Sequence, residues 1–337
     1  MEEKKTVIKQ KNYLKIPGLG IFGEESGLLA LKQSKDGKFC VGKNGVKSIC
    51  ATRDKKVEFI SFTEYSLAYV SSNLGYPAYY PVHHAEIVKP VKAVLMDLDG
   101  TTVKSEEFWI WIIERTIASL LDNSNFQLEE SDMLYVSGHS VSEHLTYCID
   151  KYCPNKSLED ARQHYFKHTH REMKLIMEGR GKKEAFIPAE GLKDFLFELK
   201  NMKMKIGLVT SGLYEKAWPE IFSAFNSLEI GNPKDFYDAI ITSGYPLRKG
   251  EVGTLGEISS KPHPWLYAEI SRVGLGIKFK DRNSVIGIDD SGAGICSIRL
   301  AGFPAIGISG GNIISSGTRA LCNYYCSTFK EILEHIK

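Results

Sequence analysis

The sequence predicts an α/β protein built on a doubly wound parallel sheet, with an inserted helical region and an additional small α+β module at its N-terminal end. Three observations predict this architecture. Apolar, β-branched runs that end in polar residues alternate with amphipathic helical patterns from residue 188 onward. Residues 105–187 carry apolar residues at helical spacing. Residues 1–89 contain short strand patterns separated by glycine-containing turns.

The composition indicates a soluble folded protein with more than one domain. Its 337 residues are 43% hydrophobic, which is enough for a sizeable core. The formal net charge of +2 gives no strong field that would attract nucleic acid or an anionic membrane. No apolar run approaches the ~20 residues that span a bilayer, and the charged N-terminus leads into no signal-peptide core. The seven scattered cysteines favour a reducing compartment, so we expect a cytoplasmic protein.

The N-terminal module is predicted to combine strands with one helix. Ser61 and Glu64 fit a capping box, which predicts a helix over residues 63–74. The tyrosines of Tyr76–Tyr80 form either a packing surface or a binding surface, which leaves open a protein partner or self-association through residues 1–89. We find no chemistry in this module and expect it to be dispensable for catalysis, provided that the tyrosines bury little core. The predicted strands are Leu28–Lys32, Phe39–Val41 and Val57–Ile60.

The chain is organised around the strand predicted at Val91–Leu95, which is followed by Asp97, Asp99 and Gly100. Strand residues two apart share a face, so the two carboxylates lie side by side if the strand continues to Asp99. Ligands bind at the carboxyl ends of strands in open α/β sheets. Two close carboxylates need a cation or a shared proton, which suits phosphoryl transfer. An ordinary turn is the alternative, whereas a calcium loop is excluded because the following residues lack its oxygen ligands.

After the helical region, strands and helices alternate and three further polar groups follow apolar runs. One predicted strand ends at Thr210 and Ser211, another ends at Asp289 and Asp290, and Lys261 precedes a proline between them. Taken singly, these residues fit a turn, a helix cap or a solvated lysine. Because the carboxyl ends of parallel strands lie on one edge of a sheet, the groups together indicate a single site.

The order and local sequence of these groups resemble the haloacid dehalogenase-like hydrolase superfamily. The similarity extends over residues 90–337 and implies a Rossmann-like core at 90–104 and 188–337, with a helical cap domain at 105–187. The accessory module at 1–89 lies outside it. The cap is placed as in the branch of β-phosphoglucomutases, phosphonatases and phosphoglycolate phosphatases. The four motifs are matched by Asp97–Thr101, by Thr210 or Ser211, by Lys261 with Pro262, and by Gly287–Gly294.

The resemblance also implies roles for these residues. Asp97 is the nucleophile that forms an aspartyl phosphate, and Asp99 is the general acid and base. Lys261 offsets the charge that develops on the phosphoryl group, which Thr210 and Ser211 also bind.

A Mg²⁺ ion is implied at the same site. Asp97 and Asp290 would bind it through their side chains and Asp99 through its backbone carbonyl. Asp289 would either bind the ion directly or support the other ligands. This leaves the carboxyl of Asp99 free to carry a proton.

The leading hypothesis is a Mg²⁺-dependent phosphatase that hydrolyses a small phosphorylated metabolite, such as a sugar phosphate. Asp99 argues against a dehalogenase, and Ser137–Glu143 offers no lysine of the kind that phosphonatases use. Val141 stands near the position of a phosphoglucomutase arginine, which argues against a mutase. A phosphomutase and a regulatory protein that binds a phosphorylated ligand are the alternatives. We expect no nucleic-acid or membrane partner.

One cap residue is a candidate for reading the substrate. Ser137–Ser140 interrupts the helical region with a glycine and is predicted to be a loop. The resemblance implies that this loop faces the metal site when the cap closes. His139 both donates and accepts hydrogen bonds there, and a small pKa shift would change its charge. The alternative is that His139 only caps the helix that begins at Val141. The long polar loop at 243–260 is left without an assigned role.

Overall fold

The protein is described by a computed structural model that covers residues 14–23, 26–71, 76–132, 141–182, 184–244 and 258–337. Within these ranges, no helix combines the length and the apolar character needed to cross a membrane. The predicted cap loop with His139 lies outside the described residues, as does most of the 243–260 loop.

The described part of the N-terminal module consists of antiparallel strands. Strands β1 and β2 form a hairpin, and β3 to β7 form a five-stranded sheet in sequential order. The predicted strand at Phe39–Val41 is reduced to a single bridge between Cys40 and Gln33. The strands are β1 (Leu14–Ile16), β2 (Gly20–Phe22), β3 (Leu29–Leu31), β4 (Ser48–Ala51), β5 (Val57–Ser61), β6 (Ser66–Val70) and β7 (Ala78–Pro81).

The helix predicted over residues 63–74 is wrong, because this segment contains β6. Ser61 pairs with Ser66, and the Phe62 amide donates to the Tyr65 carbonyl, so the capping-box residues form a hairpin turn instead. The segment is paired on both sides by β5 and β7 and is largely buried. Pairing with a strand on each side outweighs a local capping signal, because it satisfies the backbone donors and acceptors of the segment while its side chains become buried.

The remaining elements include the helical region and, after it, the succession of strands and helices that the sequence predicts. The strands are β8 (Ala93–Asp97), β9 (Val103–Lys104), β10 (Ile187–Pro188), β11 (Lys205–Val209), β12 (Ala239–Ile241), β13 (Val285–Asp289), β14 (Ala305–Ile308) and β15 (Tyr324–Cys326). The helices are α1 (Glu106–Leu121), α2 (Val141–Tyr152), α3 (Leu158–Met177), α4 (Leu192–Asn201), α5 (Tyr214–Leu228), α6 (Pro233–Phe236), α7 (Trp265–Glu269), α8 (Gly292–Leu300) and α9 (Phe329–Ile336).

A six-stranded parallel sheet forms the centre of the fold, in the order β12-β11-β8-β13-β14-β15. Strand β8 is buried along its whole length, as its apolar run predicts. The doubly wound α/β fold is therefore confirmed. Because β8 lies between β11 and β13, the ends of these three strands meet at one edge.

Helices α1 to α3 lie between β9 and β10. These two strands pair antiparallel, with Lys104 opposite Ile187 and Val103 opposite Pro188. Helix α3 begins with a capping box in which Ser157 and Asp160 bond each other's backbone amides. Most of the apolar side chains that predicted α1 from their spacing, including Phe108 and Ile112, are buried.

The N-terminal module shares a hydrophobic core with one face of the parallel sheet. Phe59 and Tyr80 of the module pack in the same cluster as Leu95 and Tyr267 of the α/β core. Tyr80 is only 9% exposed, so the condition under which the module was expected to be dispensable is not met. Removing it would expose a core face of the sheet to water.

Candidate active site

The site begins with three residues that lie at the carboxyl edge of the parallel sheet. Asp97 ends β8, Asp289 ends β13, and Thr210 follows β11. Val209 pairs with Asp97, and Ile288 pairs with Met96, so the three side chains leave neighbouring strands at the same level. The structure therefore brings together the strand ends that the sequence singled out.

Lys261 joins two of the carboxylates. Its ammonium group donates to Oδ1 of Asp97 and lies 2.8 Å from Oδ2 of Asp289. The hydroxyl of Tyr267 donates to the same Asp289 oxygen at 2.7 Å. The other oxygen, Oδ1, accepts from the backbone amide and the hydroxyl of Ser291 at 2.9 and 2.7 Å. Asp289 is thus fixed on both oxygens, and its side chain is fully buried.

The carboxylate of Asp290 is enclosed by backbone. It accepts a hydrogen bond from the Thr101 hydroxyl at 3.2 Å. Gly100 and Gly311 approach it so closely that a Cβ atom at either position would overlap Oδ2. Gly100 also has a φ of +83°, in the left-handed region that favours glycine. Glycine at both positions therefore leaves room for the Asp290 carboxylate.

Negative charge exceeds positive charge in this cluster. The carboxylates of Asp97, Asp289 and Asp290 offer oxygens that lie within 4.8 Å of one another, and all three are buried. Burial raises the pKa of Asp97 well above its usual range, the charge of Asp289 raises it further, and Lys261 opposes both. Burial, followed by the charge of Asp289, raises the pKa of Asp290 to about 7. An all-oxygen donor set with excess negative charge fits a hard divalent cation such as Mg²⁺.

Asp99 is not beside Asp97 in the way that strand alternation predicts, because β8 ends at Asp97. The amides of Thr102 and Val103 both donate to the Leu98 carbonyl, which closes a tight turn. The Asp99 carboxylate instead accepts from a separate set of donors. These are the hydroxyls of Ser105 at 3.1 Å and Thr210 at 3.2 Å, and the ammonium group of Lys216 at 3.2 Å.

Lys216 is a site residue that sequence reasoning missed. It lies in the first turn of α5, 3.2 Å from Asp99 Oδ1, and its ammonium group lies 4.0 Å from the centre of the Trp109 ring. Burial alone would raise the pKa of Asp99, but Lys216 lowers it below its usual range. Glu220, one turn further along α5, is fully buried, and burial together with the charge of Asp99 raises its pKa well above its usual range.

A positional signal for Lys216 was available. Helix α5 follows β11 and therefore starts at the same edge of the sheet as the site, which makes the residues of its first turn candidates. Tyr267 was also missed, although it lies near the start of α7 and the same positional argument applies to it. Neither residue type carries a signal of its own, since lysine and arginine together number 43 in this chain.

The two hydroxyl residues predicted to bind phosphate differ in their surroundings. Thr210 is buried, and its hydroxyl accepts from the Gly212 amide at 2.9 Å besides donating to Asp99. Ser211 is exposed, and its hydroxyl accepts from the backbone amide of Lys261 at 3.3 Å. Thr210 thus contacts the Asp99 carboxylate and Ser211 contacts the backbone of Lys261, whereas His139 is not among the described residues.

The family model of the haloacid dehalogenase-like hydrolases matches residues 94–308, well over half of the chain. The chain belongs to this family. The resemblance drawn from the four motifs is thereby confirmed, and so is the prediction of a hydrolase. The matched range begins inside β8 and ends with β14, so it contains every described residue of the site except Gly311.

Solved structures of this haloacid dehalogenase-like hydrolase fold resemble the chain at low sequence identity. A predicted phosphoglycolate phosphatase from Haemophilus somnus 129PT is 16% identical with a TM-score of 0.55, covering 74% of this chain and 100% of its own. A haloacid dehalogenase-like family protein from Streptococcus pneumoniae is 17% identical with a TM-score of 0.53, at coverages of 74% and 100%. A candidate β-phosphoglucomutase from Thermotoga maritima is 17% identical with a TM-score of 0.50, at coverages of 73% and 100%. No curated protein matches the sequence.

Proposed function

We propose that this hydrolase is a Mg²⁺-dependent phosphatase that acts on a small phosphorylated metabolite through an aspartyl phosphate. The observation that carries the proposal is the position of Asp97, whose carboxylate contacts Lys261 and lies beside the carboxylates of Asp289 and Asp290. The family match supports hydrolysis, and the phosphatase named among the similar structures supports a phosphate ester as substrate.

In the first half of the reaction, an oxygen of Asp97 attacks phosphorus and the bond to the leaving oxygen breaks. Lys261 contacts the carboxylate that attacks, so its positive charge lies where the phosphoryl group would acquire negative charge. Asp99 would pass a proton to the leaving oxygen, and because Lys216 lowers its pKa it must first take that proton from water or from the substrate. In the second half, Asp99 takes a proton from water, which attacks phosphorus and releases Asp97.

The side chains of Asp97 and Asp290, with the backbone carbonyl of Asp99, are the groups that would hold Mg²⁺. Asp289, which is bonded to Lys261, Tyr267 and Ser291, would either bind the ion with these groups or orient them. When bound, the ion supplies positive charge that allows an anionic nucleophile to approach an anionic phosphate.

Substrate recognition is proposed for groups around this centre. Thr210 and Ser211 would donate hydrogen bonds from their hydroxyls to phosphoryl oxygens together with Lys261, and His139 would contact the rest of the substrate from the cap.

The proposed domains are 1–89, 90–104 with 188–337, and 105–187. The pairing of β9 with β10 supports the limits of the domain at 105–187, because the chain enters and leaves helices α1 to α3 through these two paired strands. A cytoplasmic location stays a prediction.

The experiment that tests the proposal is a panel of phosphate monoesters, including p-nitrophenyl phosphate and several sugar phosphates. Free phosphate is measured with Mg²⁺, after chelation with EDTA, and after Mg²⁺ is restored. We expect release that needs the ion and returns with it. An isomerised sugar phosphate without free phosphate would instead indicate the phosphomutase. Tight binding of a panel member without turnover would indicate the regulatory alternative.

A further inference from the structure

The N-terminal module reaches the segment that carries Lys261. Tyr80 on β7 places its hydroxyl 2.7 Å from Nδ1 of His263, two residues beyond Lys261. Both side chains are buried, with exposures of 9% for Tyr80 and 1% for His263. The ring of Tyr80 also stands edge-on to Trp265, at a centroid distance of 6.0 Å. The module therefore contacts the turn of residues 260–264, which we call the lysine turn.

Besides the bonds of the Lys261 ammonium group, hydrogen bonds of its backbone attach the lysine turn to the α/β core. The hydroxyl of Ser297 on α8 donates to the His263 carbonyl at 2.6 Å. The Lys261 amide donates to the Ser211 hydroxyl at 3.3 Å. Tyr80 supplies a further attachment from outside the core. Since the Lys261 ammonium group must lie between Asp97 and Asp289, a small displacement of the lysine turn would misplace it.

The module also supports the loop that encloses Asp290. The Arg53 amide donates to the Ser316 carbonyl at 2.9 Å. Gly317 approaches Gly27 so closely that a Cβ atom at Gly317 would overlap the Gly27 carbonyl. The same loop carries Gly311 against Asp290. Two loops that build the site therefore rest on the same accessory module.

We propose that the N-terminal module is part of the catalytic scaffold and that Tyr80 is a positioning residue, which acts on Lys261 through His263. The proposal rests on the proposed function, because it assigns Tyr80 to the reaction that Lys261 assists. The hydroxyl–imidazole contact fixes the lysine turn, and the turn fixes the ammonium group between the two carboxylates. Tyr80 bonds His263 through its hydroxyl and packs its ring against His263 and Trp265, so it acts on Lys261 through its neighbours in the chain.

The test compares two neighbouring tyrosines in the full chain. Tyr80→Phe removes the hydroxyl that reaches His263 and keeps the ring. Tyr79→Phe is the matched control, because the Tyr79 hydroxyl donates to Asp36 inside the module and reaches no site residue. With Mg²⁺ and p-nitrophenyl phosphate, we expect Tyr80→Phe to lower kcat about tenfold with little change in KM. We expect Tyr79→Phe to stay within about twofold of the unmodified protein.

A double-mutant cycle separates positioning from a general loss of structure. If Tyr80 acts through Lys261, adding Tyr80→Phe to Lys261→Ala should lower kcat no further. A second loss of about tenfold in the Lys261→Ala background would overturn the proposal, as would equal activity of Tyr80→Phe and Tyr79→Phe.

A second measurement does not depend on turnover. We expect the amides of residues 258–266 to exchange hydrogen faster in Tyr80→Phe than in Tyr79→Phe or the unmodified protein, because the turn has lost an attachment. Unchanged exchange in Tyr80→Phe would overturn the proposal even if no phosphate ester were hydrolysed. A protein without turnover whose exchange still responds to Tyr80→Phe would contradict the proposed function and leave the positioning of the turn supported.

Discussion

The ammonium group of Lys216 lies 3.2 Å from Oδ1 of Asp99 and is the cation that holds this carboxylate. The hydroxyls of Ser105 and Thr210 also donate to it. If Asp99 moves protons in the reaction, its orientation depends on this contact.

We therefore expect Lys216→Met to lower kcat/KM for p-nitrophenyl phosphate about tenfold, because methionine keeps the packing but loses the charge. Lys216→Arg is the control and should retain most of the activity. Steady-state kinetics with saturating Mg²⁺ measures both variants. Unchanged kcat/KM in Lys216→Met would show that Asp99 needs no partner on α5.

Besides its proposed role in the reaction, Lys261 should stabilise the folded protein when no metal is bound. Its side chain is 8% exposed, and the cluster around it contains the buried carboxylates of Asp97, Asp289 and Asp290. Removing one partner of a buried ion pair typically costs about 3–5 kcal/mol. We expect Lys261→Met to lower the free energy of unfolding by roughly that amount at pH 8 without Mg²⁺, measured by urea denaturation.

Lys92 provides the matched control for this prediction. It pairs with Asp281 at 3.0 Å, but the two side chains are 52% and 33% exposed, respectively. Exposed ion pairs contribute only about 0–1 kcal/mol, so Lys92→Met should change stability little. Similar losses in the two lysine variants would mean that the carboxylate cluster does not depend on Lys261.

The carboxylate cluster also predicts a dependence of stability on pH. Burial and neighbouring charge raise the pKa of Asp290 to about 7 in the folded protein, whereas an unfolded aspartate titrates near ~3.9. Between these values the folded protein holds a proton that the unfolded chain has released. Ionising Asp290 in the folded state is therefore unfavourable, and its contribution to the free energy of unfolding falls as pH rises through this window.

The measurement compares metal-free wild type with Asp290→Asn at pH 5 and pH 8. His83 and His168 have pKa values lowered by burial, which works in the opposite direction, and comparing the two proteins cancels their contribution. We expect wild type to lose roughly 2–4 kcal/mol relative to Asp290→Asn between these pH values. Added Mg²⁺ should offset the loss at pH 8. If wild type instead gained stability relative to Asp290→Asn between pH 5 and pH 8, that result would contradict a raised pKa of Asp290 in the folded protein.

The parallel sheet could be predicted because its signal is local. A strand buried on both faces, such as β8 or β13, needs an uninterrupted apolar run, and that run is visible without its neighbours. The residues that end such strands then meet at one edge by topology alone. This is why Asp97 and Asp289 could be placed from the sequence.

Other features could not be predicted because they depend on contacts distant in sequence. Strand β6 carries a capping signal beside it, and only pairing with β5 and β7 reveals a strand. Lys216 reaches Asp99 across 117 positions, and Tyr80 reaches His263 across 183. No local pattern marks Tyr80 as part of a site, and Lys216 is marked only by its place in the first turn of the helix that follows β11.

Asp97→Asn tests the central claim most directly. An amide cannot attack phosphorus effectively, yet asparagine keeps the shape of the side chain and removes one of the repelling carboxylates. We predict that the variant folds, with an unchanged circular dichroism spectrum, and hydrolyses the best phosphate monoester at a rate lower by at least about 10³-fold with Mg²⁺. Hydrolysis by Asp97→Asn at a rate near that of the wild type would contradict an aspartyl phosphate on Asp97.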